Sequence, residues 1–175
     1  MLISKELEAA IDAQIGREFG ASLQYNSIAA YFDADALPNL AAFFYRQASE
    51  EHMHAMKFLN YIVDAGGQVR IPAISASKYD FVSAEDAVQL SLDWEQEVTR
   101  QINDLMNLAI QQKDHIAQDF LRWFVTEQLE EVSTMERLLS IVRRSKDNLL
   151  FVDDYIARNP IVPSEGAAGE AASGA

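Results

Sequence analysis

Glycine and proline are nearly missing from the interior of this sequence, and no other feature limits its fold as sharply. Both residues interrupt helices, glycine through its backbone entropy and proline through its lost N–H and ring clash. Here seven glycines and four prolines fall in clusters. Pro38 follows one long helical pattern, Gly66-Gly67 closes the next, and Pro72 sits in a segment running to about Ser83. No Gly or Pro then occurs before Pro160. The punctuation predicts an all-α chain of four long helices, near 5–34, 38–65, 84–112 and 116–144, with a shorter fifth near 147–157. Ser83-Ala84-Glu85-Asp86 reads as an N-cap with acids in the first turn, where they suit the helix dipole.

The spacing of the breaks also sets the topology. Helices one and two, and helices three and four, are joined by short links, so each pair forms an antiparallel hairpin. The link from about 66 to 83 is long enough to run the length of a bundle. Two hairpins and one long crossover describe a four-helix bundle of the kind that holds metal between facing helices. Residues 1–158 form the domain in this reading, and the Ala/Gly/Ser-rich stretch 159–175 is a flexible tail.

Composition excludes several functions. The formal charge is −13, with 27 acids against 14 bases, so a nucleic-acid partner would be repelled. The absence of cysteine removes disulfides, thiolate metal sites and thiol nucleophiles. No apolar run approaches the roughly 20 residues that span a bilayer, and the first residues carry no secretory pattern. The expectation is a cytoplasmic protein with no membrane partner.

The informative acids are those that break apolar stripes. Glu18 interrupts Ile11, Ile15, Tyr25, Ile28 and Phe32, and Glu51 interrupts Phe44, Ala48, Ala55, Phe58 and Ile62. Glu95 lies among Val88, Leu92, Val98, Ile102 and Met106. Gln128 and Glu131 lie among Leu121, Phe124, Val125, Val132, Met135 and Leu138. Each long helix thus aims a polar group inward. A buried carboxylate without a partner is costly or protonates, so four of them call for a shared cation.

The spacings repeat. Glu18 to Glu51 and Glu95 to Gln128 are both 33 residues, and Glu51 to His54 and Gln128 to Glu131 are both three. The second set follows the first by 77 residues throughout (95−18, 128−51, 131−54). Residues three apart share a helix face, so each pair can reach one centre. One acid from two helices with Glu-x-x-His on the other two is the layout of di-iron and di-manganese carboxylate bundles. The first half fits fully; the second carries Gln128 and Glu131 instead. Oxygen-rich ligation with one imidazole suits iron or manganese. Glu51 is the expected bridge, with Glu18 and His54 completing one metal and Glu95 and Glu131 the other. Gln128 is a weak neutral ligand or a donor. The competing readings are a non-storage di-iron or di-manganese oxidase or peroxidase, and a metal-free helical scaffold or partner-binding protein whose polar core fixes helix register.

At these residues the sequence resembles bacterial non-haem ferritins, in particular those of actinobacteria, over about 1–158. The resemblance rests on Glu18 with Tyr25, Ser49-Glu50-Glu51-His52-Met53-His54, Asp93-Trp94-Glu95-Gln96-Glu97, and Trp123-Phe124-Val125-Thr126-Glu127-Gln128-Leu129-Glu130-Glu131. It implies a ferritin-like bundle and a ferroxidase. Fe(II) would be oxidised by O2 or hydrogen peroxide and passed to a ferric mineral inside a homo-oligomeric, 24-subunit shell. It implies a first iron at Glu18, Glu51 and His54, a second at Glu51, Glu95 and Glu131, and a third nearby at Glu50, Glu127 and Glu130. Tyr25 matches a tyrosine beside the site that can bond a ligand or supply an electron. His52 stands where haem-binding relatives carry methionine, which speaks against haem. Animal ferritins line a pore with acids; the matching positions here are Gln118 and Leu121. A DNA-protecting miniferritin fits less well, since the ligands here complete a site within one chain.

Overall fold

The structure, a computed structural model, describes residues 2–146 and 148–161. Its elements are α1 (Lys5–Ala34), α2 (Pro38–Asp64), α3 (Ala84–Gln111), α4 (His115–Ser145) and α5 (Leu149–Arg158). The boundaries follow from local chemistry. Ser4, Ser83, Asp114 and Asn148 each accept a backbone N–H of the first turn that they open. Pro38 stands in the first turn of α2, where its missing N–H costs nothing. Left-handed residues, Ala36 and Lys113, occupy the middle of the tight turns at 35–37 and 112–114. They too are 77 apart (113−36), so the internal repeat extends to the turns.

Leu2 N–H donates to the Ala65 carbonyl at 2.8 Å, and Ser4 Oγ donates to Gln112 Oε1 at 2.6 Å. The start of α1 and the ends of α2 and α3 therefore share one end of the bundle. The second and third helices run parallel, and the chain between them has to traverse the bundle. It does so along α1. Arg70 N–H donates to Asp12 Oδ1 (2.8 Å), and Lys78 exchanges backbone hydrogen bonds with the Gln24 amide (2.9 Å each). Gly16 lets the strap lie close: a Cβ there would sit 2.3 Å from Pro72 Cγ.

The α2 N-terminus has no side-chain cap of its own. Asp153 of α5 supplies one, accepting from Asn39 N–H and Leu40 N–H at 2.9 Å each and from Asn39 Nδ2 at 2.7 Å. This fixes α5 against the far end of the bundle. Of the stretch expected as a tail, 162–175 lies outside the described residues. Ile161 is buried, and its carbonyl accepts from Arg46.

The interior is two apolar cores. One gathers Ile3–Ile15 of the N-terminal segment with Phe58, Ile62, Ile102, Leu105, Leu121 and Phe124. The other gathers Tyr25, Phe32, Phe44, Val88, Met135 and Leu138 with Val152 and Ile156 of α5. Between them lies a polar layer, and the candidate site occupies it. One sequence expectation needs correction. Val125 is 40% exposed and belongs to no core, because it projects about 90° away from the buried stripe of its helix. Leu121 is wholly buried, as its place in the apolar stripe predicts.

Candidate metal centre

Each long helix delivers its acid to the polar layer. Glu18, Glu51, His54, Glu95, Gln128 and Glu131 are all buried, none more than 5% exposed. Three groups of possible ligand atoms come together there among the described residues, each within 4.8 Å: Glu18, Glu51 and His54; Glu51, Glu95 and Glu131; and His54, Glu127 and Glu131. The first two are the sets expected for a metal pair, with Glu51 common to both. The third group joins Glu127, one of the residues expected at a third site, to His54 and Glu131.

The hydrogen bonds follow a consistent pattern. Gln14 Nε2 donates to Glu18 Oε1 at 2.8 Å, and the Tyr25 hydroxyl donates to Glu95 Oε1. Gln47 Nε2 donates to Glu131 Oε2 at 2.8 Å, and His54 Nδ1 lies 3.3 Å from Glu51 Oε2. Glu18 Oε2, Glu51 Oε1 and Glu95 Oε2 are buried with no hydrogen-bond partner. Native interiors rarely strand a carboxylate oxygen, and here three are stranded in one layer. A cation, or a proton shared between neighbouring carboxyl groups, can satisfy such oxygens.

His54 is held by the edges of Trp123 and Phe124, with ring centroids 5.4 and 5.9 Å away. Its Nε2 faces Glu127 Oε1 at 3.9 Å. Gln128 Oε1 accepts the Thr99 hydroxyl at 2.8 Å, and Gln128 favours the charged form of the Glu95 carboxylate. His52 points to solvent and packs on Phe19, and the exposed Met53 follows it.

Burial sets the protonation of the layer. It pushes Glu51 well above the usual carboxylate range, helped by Glu95 and Glu18, and it raises Glu131, helped by Glu95 and Glu51. Glu95 is pushed up to about 7, chiefly by burial, against the pull of the Tyr25 hydrogen bond. The Tyr25 phenol is raised well above 10.0 by burial and by Glu95, so it remains a donor. Burial also raises Glu50 and Glu127, which lie close enough to Glu130 to feel its charge. Without a cation the layer therefore retains protons at neutral pH. A divalent ion held there would have to displace them.

Gln14, Gln47 and Thr99 escape a search for acids and imidazoles. One signal was available: Gln14 and Gln47 each sit one turn before a site acid and repeat the 33-residue spacing (47−14).

A family model described as a ferritin-like domain matches residues 8–145, most of the chain. The chain belongs to the ferritin family. It is 42% identical over 156 residues to ferritin BfrB of Mycolicibacterium smegmatis, covering 89% of this chain and 86% of that protein. It is 40% identical over 147 residues to a bacterial non-heme ferritin of Staphylococcus aureus, covering 84% and 89%. Among solved structures it resembles an open pore ferritin of the archaeon Archaeoglobus fulgidus, with a TM-score of 0.86 and 31% identity over 89% of this chain and 98% of that one. The five helices of this ferritin, and the crossover that makes its inner pair parallel, are thus those of its family. Among the described residues no helix is long and apolar enough to cross a membrane.

Proposed function

We propose that this ferritin stores iron, taking up Fe(II) at the paired site, oxidising it to Fe(III) and depositing it as mineral inside a 24-subunit cytoplasmic shell. The observation that carries the reading is the trio of buried, unpartnered oxygens on Glu18, Glu51 and Glu95, beside His54 and Glu131. Glu18, Glu51 and His54 would hold one Fe(II), and Glu51, Glu95 and Glu131 the other. Each Fe(II) gives up one electron. A pair supplies two, the number that converts O2 to hydrogen peroxide or hydrogen peroxide to water. Protons released by the carboxyl groups as iron enters are available to the reduced oxygen.

The two positions differ in donor set. The first has an imidazole, and the second has carboxylates alone, with the Gln128 oxygen occupied by the Thr99 hydroxyl. Without an imidazole the second position has the poorer donor set, and a weakly held second ion suits turnover into a mineral. A third iron beside the pair belongs to the proposal. Glu127 is the best-placed carboxylate for it, with Glu50 and Glu130 as acidic neighbours.

Aerobic addition of Fe(II), followed by sizing and metal analysis, tests the reading. A large particle holding many irons per chain is expected. Retention of two irons per chain at any load would overturn storage, and retention of none would overturn the site itself.

A further inference from the structure

Two amides hold the site's carboxylates, and their placement is unusual. Gln14 is wholly buried and Gln47 is 4% exposed, both in helix stripes where an aliphatic residue would pack without desolvation cost. Each spends its N–H on one oxygen of a site glutamate, Gln14 on Glu18 Oε1 and Gln47 on Glu131 Oε2. Gln14 is also oriented from outside, since the exposed Arg17 donates to its Oε1 at 3.1 Å. Gln47 reaches from α2 to α4, so it fixes Glu131 from the opposite hairpin.

An amide suits this role for a physical reason. A lysine or arginine in the same place would neutralise the carboxylate that a cation needs. A neutral donor fixes the rotamer, occupies one oxygen and leaves the negative charge for the metal. On Glu18 the other oxygen, Oε2, is left buried and unpartnered.

We infer that Gln14 and Gln47 are positioning residues, each serving a different metal position. Gln14 presents one oxygen of Glu18 to the position completed by Glu51 and His54, and Gln47 does the same with Glu131 for the position completed by Glu51 and Glu95. Restricting each glutamate to a single oxygen leaves room around each ion for water or the oxidant. The inference rests on the proposed paired site.

The test is anaerobic titration of the assembled protein with Co(II), followed by visible absorption and calorimetry. Co(II) is chosen because its spectrum reports ligand geometry and it does not turn over. At least two Co(II) per wild-type chain uphold the paired site, and fewer refute it whatever the glutamines do. Given two, Gln14→Leu is expected to weaken one position about tenfold or more, and Gln47→Leu the other. In a Glu18→Ala background, Gln14→Leu adds nothing further, whereas Gln47→Leu still weakens the remaining position. Gln14→His and Gln47→His keep an N–H donor and should restore part of the affinity. If a leucine chain does not assemble, Gln14→Met or Gln47→Met fills the space with the same expectation. Wild-type affinity in both variants, or equal weakening of both positions by either one, overturns the assignment.

Discussion

The Tyr25 hydroxyl on α1 donates to Glu95 on α3, joining the two hairpins across the centre of the polar layer. Burial keeps the phenol protonated, and the bond fixes one oxygen of Glu95 while Oε2 stays unpartnered. Tyr25→Phe removes a hydrogen bond to a fully buried carboxylate. The metal-free protein should lose about 1.5–3 kcal/mol, read from denaturant unfolding at fixed protein concentration. A change within error would show that Glu95 is protonated and re-pairs within the layer.

Glu18→Ala and His54→Ala should each slow Fe(II) oxidation by more than about tenfold, the least that losing even an outer partner of a metal site costs. The shell should still assemble. Stopped-flow oxidation with sizing of the same samples checks this, and wild-type rates in both variants would remove these residues from the site.

The buried acids also set a pH dependence. Glu95 is raised in the folded state from 4.5 to about 7, so its contribution to stability is full below 4.5 and is lost as pH rises through 7. The melting temperature of the metal-free wild type should therefore fall more steeply across this window than that of Glu95→Gln. Divalent metal should abolish the difference. Parallel slopes with and without Glu95 would contradict the raised pKa.

Gly16→Ala drives a methyl group to 2.3 Å from Pro72 Cγ. The crossover must lift from α1 or the helix must shift, a strain of about 1–3 kcal/mol. Thermal melts should show the loss, and limited proteolysis should cut faster between Gly67 and Ser83. Unchanged cleavage would mean that the strap absorbs the methyl group in place.

Asp153→Ala leaves three donors of α2 without their acceptor, including the first-turn N–H groups of Asn39 and Leu40. A lost cap costs about 0.5–2 kcal/mol, and here α5 loses its anchor as well. The expected result is a lower melting temperature together with faster amide exchange in both α5 and the first turn of α2. Faster exchange in only one of them would refute the coupling.

Much of this was legible in the residues. Long helices with so few glycines and prolines have few alternatives, and a carboxylate inside an apolar stripe is conspicuous wherever helical periodicity is clear. Glu18, Glu51, Glu95 and Glu131 were therefore readable, as was the topology once the crossover length was known. The amides were not, because glutamine is common on solvated helix faces and Gln14 and Gln47 differ from such residues only by burial. Val125 misled because it lies four residues after Leu121, while Phe124, Gln128 and Glu131 draw the buried face to the other side. Glu127 shares a helix face with Glu130, which is what the sequence makes visible, and its contact with His54 and Glu131 needs the fold.

The division of the polar layer between the hairpins has a consequence for assembly. Glu18, Glu51 and His54 all belong to the first hairpin, so one of the two proposed ion positions has all its residues by residue 54 of the chain. The other takes Glu51 from the first hairpin and Glu95 and Glu131 from the second, and exists only where the two have docked. Docking and occupancy of that second position are then linked reactions. Each would strengthen the other by the same factor, so iron bound there as proposed would clamp the halves of the bundle together, and its departure would loosen them.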